Sequence, residues 1–432
     1  EGVAGARLDD LGEAVPLDRE GDDHLAGRPR LGAPGPLEPV EVDPEFGRCG
    51  RVDDAETDPP ATIDPEDGRI VEGAVVGKPG VVLDIVQVRL RPVTTRGPVA
   101  APVAAPVTTA IAHPNIALVK YWGKRDHALN LPATGSLSLT LGPVRTRTSV
   151  VWGQGVDSLV LNGVPQRERE LRRITALLDL VRQDHPQLGG AAVVSDNDFP
   201  TAAGLASSSS GFAALALAAT RAAGLELPER ELSVLARRGS GSAARSLRGG
   251  FVRMHPGERA DGSDAFATSV AGPDHWDLRV VFALTMTGAK KVPSTDGMND
   301  TVATSPYFRA WTERVPHQLD EALAAIGTRD FERLAAVAEA SALQMHASAI
   351  AAEPGVLYWN GATVELIHRV RGLRLEQGMP AFFTIDAGPH VKVFTVPEHV
   401  DAVRAALEDT PGVHGTFVAS PGGDARVVEE QP

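Results

Sequence analysis

Four short segments of this 432-residue chain carry residue types at spacings that suit anion chemistry. The first is 197–212, Asn-Asp-Phe-Pro-Thr-Ala-Ala-Gly-Leu-Ala-Ser-Ser-Ser-Ser-Gly-Phe. A polar turn and a proline lead through small residues into an Ala-rich helix expected over 212–223. Small side chains let an anion reach the backbone, and a helix start aims free N–H groups and a positive dipole end at it. The serines add hydroxyls for phosphate or a metal ion. The Gly-Lys-Ser/Thr of a Walker A loop is missing. The same composition also suits an Ala/Ser helix packed closely on a neighbour.

The second segment is 237–246, Arg-Arg-Gly-Ser-Gly-Ser-Ala-Ala-Arg-Ser. Two serines among glycines with an arginine three residues on suit a diphosphate, since a guanidinium matches its oxygens in a bidentate fork. A flexible Gly/Ser loop is the plainer reading. The third, 115–125, sets Lys120 and Lys124 four residues apart with Tyr121 and Trp122 between them. A solvated basic face is the default for such a pair, but large aromatics are scarce in a chain that is 5% aromatic. The fourth is Asp386, in a tight Asp-Ala-Gly-Pro loop between two apolar strands. An ordinary turn aspartate fits, and so does a general base at the mouth of a sheet.

The elements that must position these segments begin near 107. Strands are expected at 107–112, 136–141, 191–194, 278–285, 382–385, 391–395 and 414–419. Helices are expected at 167–183, 229–238, 306–327, 330–350, 361–377 and 398–409. They interleave without a regular βαβ rhythm, which predicts an α+β fold in two domains, 107–275 and 276–428.

The chain is 43% hydrophobic and 23% charged, ordinary for a globular protein. One cysteine, Cys49, rules out an internal disulfide framework and a Cys-based zinc site and fits a cytoplasmic setting. No apolar run is long enough to span a membrane. The net charge of −14 is concentrated early: residues 1–100 hold 21 acidic and 11 basic residues. The rest is nearly balanced and carries no basic footprint for nucleic acid. Residues 1–106 are rich in Gly, Pro and charge, which predicts a disordered segment with one candidate strand at 80–91. The first methionine is Met254, which raises the expectation of a start at Val93 with 1–92 an over-extension.

Taken together, the segments resemble the diphosphomevalonate decarboxylases, a branch of the GHMP small-molecule kinase superfamily. The resemblance rests on His113-Pro114-Asn115-Ile116-Ala117 with Lys-Tyr-Trp-Gly-Lys-Arg (120–125), and on Pro-Thr-Ala-Ala-Gly-Leu-Ala-Ser-Ser (200–208). Arg-Gly-Ser-Gly-Ser-Ala-Ala-Arg-Ser-Leu (238–247), Asp-Gly-Met (296–298) and Asp-Ala-Gly-Pro (386–389) follow in the family's order. It covers about 107–425. It implies a GHMP-kinase-like fold with the site in the inter-domain cleft, and ATP-dependent decarboxylation of (R)-5-diphosphomevalonate to isopentenyl diphosphate.

The resemblance further implies Asp386, Lys120 and Arg245 as catalytic residues. It implies Tyr121, Trp122, Gly123, Lys124, Ser240, Gly241, Ser242, Ala243, Ala244 and Arg245 as substrate-binding residues. Ala203, Gly204, Leu205, Ala206, Ser207 and Ser208 would bind ATP, with Ser208 on Mg2+. Arg245 is the expected holder of the substrate carboxylate, and a homodimer is expected. One arginine among Arg167, Arg169, Arg172 and Arg173 would touch the diphosphate.

Three positions depart from the family pattern. Thr134-Gly135 stands where Asn-Ser is common, and His390 where asparagine is frequent. His346 keeps its place but loses polar neighbours, and no catalytic role is expected for it. The rival readings are a mevalonate or phosphomevalonate kinase or decarboxylase of the same superfamily, and a catalytically silent phosphometabolite-binding protein.

Overall fold

The computed structural model describes residues 107–199, 207–288 and 291–428. The strand expected at 80–91 and the start expected at Val93 lie outside the described residues, as do Ala203, Gly204, Leu205 and Ala206.

The described chain opens with β1 (Thr108–Ala112), β2 (Asn115–Val119), β3 (Lys124–Asp126), β4 (Leu131–Pro132) and β5 (Ser136–Gly142). It continues through β6 (Thr146–Gln154), β7 (Ser158–Leu161), β8 (Val164–Gln166), α1 (Glu168–Arg182) and β9 (Gly190–Asn197). Next come α2 (Ser207–Ala222), α3 (Glu229–Gly239), β10 (Phe251–Met254), β11 (Ala267–Ala271) and β12 (Arg279–Leu284). Then follow α4 (Ser294–Thr304), α5 (Phe308–Thr328), α6 (Phe331–Ile350) and α7 (Gly361–Leu375). The chain closes with β13 (Ala381–Ile385), β14 (Val391–Thr395), α8 (Val400–Glu408), β15 (Gly415–Pro421) and β16 (Arg426–Val428).

One sheet has the order β16-β1-β6-β9-β7-β8, and α2 lies across β1 and β6. Residues Phe212–Thr220 of α2 are all buried, because α1 and α3 cover its other sides. A helix apolar all round is one enclosed all round, so the Ala-rich composition follows from close packing. The helix starts at Ser207, earlier than the expected 212, which puts the first two serines in its opening turn.

The second sheet has the order β11-β10-β5-β15-β12-β14-β13, with β2 also paired to β5. Side chains alternate across it. Val280, Phe282, Phe382 and Phe394 join the core under α5 and α6. Val281, Ala283, Phe383 and Ile385 join the core under α7 and α8. With both faces covered, β12, β13 and β14 read as mainly apolar runs, interrupted by Thr384 and Lys392.

The expected junction near 275 falls at the short turn Pro273–His275 just before β12. The chain is nevertheless stitched across that point. Strand β15 pairs with both β12 and β5, and β16 returns to pair with β1. Residues 415–428 therefore serve both halves. Strand β16 has three residues and α4 little apolar periodicity, so neither stands out in the sequence. Among the described residues no helix is long and apolar enough to cross a membrane.

Candidate active site

Asp386 heads the loop joining β13 to β14, and neighbouring elements pin that loop. The Pro389 carbonyl accepts from the Thr285 hydroxyl at 2.9 Å and the Thr363 hydroxyl at 2.6 Å. Asn360 caps the start of α7 and donates to the Thr285 carbonyl at 2.9 Å. His390 Nδ1 accepts the Thr285 N–H at 3.1 Å, so in this chain the histidine anchors the loop to the end of β12.

Two lysines face the Asp386 carboxylate. Lys120 Nζ donates to Oδ1 at 2.7 Å and to the Ala117 carbonyl at 2.9 Å. Lys392 Nζ lies 3.6 Å from Oδ2. Both lysines are buried, while the Asp386 side chain keeps 28% of its surface open. Burial works against the charge on Asp386, but the Lys120 and Lys392 charges outweigh it and hold the carboxyl at about 2. Burial pulls Lys120 down to about 8, with Asp386 restoring part of the loss. The Lys120 N–H is fixed by Ser341 Oγ on α6 at 3.0 Å.

Arg245 lies in the 3-10 turn Ala243–Leu247, wholly enclosed, and among the described residues no carboxylate bonds to it. Its partners are neutral oxygens: Ser138 Oγ at 3.0 Å, Ser136 Oγ at 2.8 Å and Asn115 Oδ1 at 3.3 Å. These follow from the pleat of β5. Leu137, Leu139 and Leu141 point into the core, leaving Ser136, Ser138 and Thr140 as a hydroxyl face. Asn115 stands opposite Thr140 on β2 and also donates to Ser246 Oγ at 2.7 Å. Burial pulls the Arg245 guanidinium down to about 10, with Tyr121 and Asp386 restoring part of the loss.

Thr134 and Gly135 end just before this face. A Cβ on Gly135 would lie 2.8 Å from Leu319 Cδ1 and 3.1 Å from the Met254 carbonyl oxygen. Leu319 of α5 thus takes the space a larger residue would need. The contact to Arg245 survives in the serines that follow.

Tyr121 lies under Arg245, its ring centroid 5.9 Å from the guanidinium carbon. Its hydroxyl is buried without a hydrogen-bond partner, and burial pushes it up to about 12. Gly241 is shaped to that hydroxyl: a Cβ there would come within 2.4 Å of it. Ser240 and Ser242 have their hydroxyls 3.4 Å apart. Ala243 and Ala244 are buried in apolar clusters, so their side chains pack and only their backbone can meet a ligand. Lys124 is half-buried; burial and the Arg173 charge both lower its ammonium.

Trp122 and Gly123 differ from the other expected substrate-binding residues. Trp122 is 2% exposed and packs edge-on against Tyr358 with ring centroids 6.0 Å apart, so it belongs to the core. Gly123 has φ +82°, and a Cβ would sit 2.6 Å from Phe308 Cζ. Its left-handed backbone and the close approach of Phe308 both favour glycine there.

Ser207 and Ser208 lie half-exposed in the first turn of α2, on a cavity of about 250 Å³. Thr146, Ser195, Asn197 and Arg173 share its wall, and Leu159 and Phe212 give it an apolar side. Ser209 and Ser210 are buried, and Ser210 Oγ bonds Thr146 Oγ1 at 2.6 Å. Of the four arginines at 167–173, Arg173 is the one on this wall. It stacks over Phe212 at 4.7 Å.

Sequence reasoning missed Asn115, Ser136, Ser138, Ser341 and Lys392 as parts of this site. A strand with leucines on one face and hydroxyls on the other was the available signal for the serines. A lysine inside the apolar run Val391–Thr395 was the signal for Lys392.

Comparisons with known proteins identify the family. Residues 112–267 match the diphosphomevalonate decarboxylase-like N-terminal domain, and 280–417 match the mevalonate 5-diphosphate decarboxylase C-terminal domain. The chain is 39% identical over 340 residues to the diphosphomevalonate decarboxylase of Homo sapiens, covering 73% of this chain and 84% of that protein. It is 37% identical over 337 residues to that of Aspergillus fumigatus, covering 72% and 83%. Mevalonate diphosphate decarboxylase from Staphylococcus aureus superimposes with a TM-score of 0.71 at 36% identity, over 75% of this chain and 98% of that one. MDDEF in complex with MVAPP, AMPPCP and magnesium does so with a TM-score of 0.70 at 40% identity, over 75% and 99%. With both domain models matched in order and relatives of this similarity covered over most of their length, the chain belongs to the diphosphomevalonate decarboxylase family.

Proposed function

We propose that Asp386, Lys120 and Arg245 carry the chemistry of the family's reaction in this chain. Family membership brings the reaction itself: (R)-5-diphosphomevalonate and ATP become isopentenyl diphosphate, carbon dioxide, ADP and phosphate. It also brings ATP and magnesium. The observation that carries the assignment is the ionised, partly open Asp386, paired to Lys120 at 2.7 Å.

The tertiary hydroxyl of the substrate is a poor leaving group and is phosphorylated first. Asp386 accepts its proton as the oxygen attacks the γ-phosphorus of ATP and ADP leaves. Lys120 neutralises charge on the transferring phosphoryl group. The new phosphate then departs with the C–O electron pair. Arg245 holds the substrate carboxylate, which leaves as carbon dioxide while its C–C electron pair closes the alkene. Asp386 hands its proton to the departing phosphate, and the carboxylate so regained steadies the electron-poor carbon between these events.

Tyr121, Lys124, Ser240, Gly241 and Ser242 would hold the substrate diphosphate, with Arg173 joining them and Ala243 and Ala244 contributing backbone. Ser207 and Ser208, with Ala203 to Ala206 before them, would hold ATP. The site's donors fit a magnesium ion on phosphates: half-exposed serine hydroxyls in the first turn of a long helix, with no group of three His, Cys, Asp or Glu among the described residues. Ser208 would ligate that ion, whose contribution is to draw charge from the phosphate oxygens.

Residues 107–275 and 276–428 are proposed as the two domains, with the site between them. A homodimer is proposed on the resemblance, and a cytoplasmic location on the single cysteine. The test of function is release of ADP and carbon dioxide from mevalonate, its phosphate and its diphosphate. Both products are expected from the diphosphate alone; ADP without carbon dioxide would refute decarboxylation.

A further inference from the structure

Lys392 has no part in the mechanism above, yet its position is an unusual one for a charge. It sits in the middle of β14 between Val391 and Val393, paired across to Phe282 on β12 and Thr384 on β13. It is wholly buried. Replacing a buried ion pair by apolar residues is often neutral or stabilising, so packing alone does not explain a lysine here. Its ammonium makes two contacts, the His390 carbonyl at 3.3 Å and Asp386 Oδ2 at 3.6 Å.

We propose that Lys392 is the standing partner of Asp386, a positioning residue that keeps the carboxylate ionised and aimed while Lys120 serves the transferring phosphoryl group. This rests on the reading of Asp386 as the base.

Each carboxylate oxygen has its own lysine: Lys120 on Oδ1 and Lys392 on Oδ2. Lys120 cannot neutralise the phosphoryl group and remain the whole counter-charge of Asp386. The other groups facing Asp386 do not replace it. His346 on α6 bonds the Ile385 carbonyl at 3.3 Å, and burial and the Lys120 charge drive its ring down to about 3, so it is neutral. Arg245 acts on Asp386 only through space and is engaged by Ser136, Ser138 and Asn115. Lys392 is tied to the loop backbone and enclosed, so it stays where it is through the cycle. Burial lowers its ammonium, and Asp386 offsets part of that.

The test compares Lys392→Met, Lys392→Gln, Lys392→Arg and Asp386→Asn with the wild type, using MgATP and diphosphomevalonate. Loss of a positioning charge is expected to lower kcat by about 50-fold in Lys392→Met and Lys392→Gln, with KM for both substrates within about threefold. Without the lysine the Asp386 carboxyl should rise, because one of the two charges that hold it down is gone. The ratio of variant to wild-type kcat should then fall toward low pH, read between about pH 7 and about pH 4, below the Lys120 titration. Lys392→Arg, which keeps the charge, should recover most of kcat and a pH-independent ratio.

Wild-type kcat in Lys392→Gln overturns the proposal, as does an equal loss in Lys392→Gln and Lys392→Arg or a loss independent of pH. Should Lys392→Met fail to fold, judged by its melting curve, the Gln and Arg pair decides. Asp386→Asn separates the two levels. If it is active, the base assignment falls and Lys392 with it. If it is inactive while Lys392→Gln is normal, only Lys392 falls.

Discussion

The two charged regions of this site are built on opposite plans. Around Asp386, charges answer one another: one carboxylate lies between two buried lysines. Around Arg245, the guanidinium is held by two serines and an asparagine, Lys124 has another cation for a neighbour, and among the described residues no carboxylate bonds Arg245. A cation held by neutral oxygens keeps its charge for a partner yet to arrive, whereas a carboxylate between two lysines is held ionised and open as a hydrogen-bond acceptor. On the proposed reading, the first region serves the chemistry and the second binds a multiply charged anion.

That contrast can be broken at several points. Asp386→Asn removes the proton acceptor but leaves its shape, and kcat should fall by about 10³-fold. Steady-state release of ADP checks this, and an unchanged rate would dissolve the distinction. Arg245→Lys keeps the charge but loses the planar fork that meets Ser136, Ser138 and Asn115, so kcat/KM should fall by about 10²-fold. The loss should be of substrate binding as well as turnover, read from KM and kcat separately.

Raising the pH probes the lysine side. Lys120 is lowered to about 8, so its charge is lost as pH climbs through that value. With the ammonium neutral, phosphoryl transfer loses its counter-charge, and kcat should fall by about tenfold per unit well above that pH. A kcat flat to about pH 10 would remove Lys120 from the mechanism. The smallest effect belongs to the scaffold. Gly135→Ser must displace Leu319 or the strand, which should cost about 1–3 kcal/mol of stability in a denaturant melt. Since Ser136 and Ser138 still hold Arg245, its KM should stay near the wild-type value.

Much of this was legible in the sequence because the relevant pieces are local. Asp386 sits in a four-residue loop between two apolar runs, and the glycine–serine turn before Arg245 announces an anion. The helices at 229–239, 308–328, 331–350 and 361–375 follow their apolar spacing. What stayed hidden is set by pairing between distant segments. Nothing within β5 says that its serines meet an arginine about a hundred residues later, and nothing within β14 says that Lys392 ends beside Asp386. The inward packing of the Trp122 ring against Tyr358 was hidden too, since nothing between Tyr121 and Lys124 announces it. The continuity of the second sheet through β15 was equally hidden, since two residue pairs with β5 leave no mark on sequence.

The division between a chemical and a binding region is tested most directly by calorimetric titration of (R)-5-diphosphomevalonate into Asp386→Asn, beside the wild type. Removing the one carboxylate leaves the diphosphate's cations untouched. The expected result is a Kd equal to the wild-type value or tighter, despite the lost turnover. A Kd weakened in step with kcat would show that the two regions act as one, and would contradict the account.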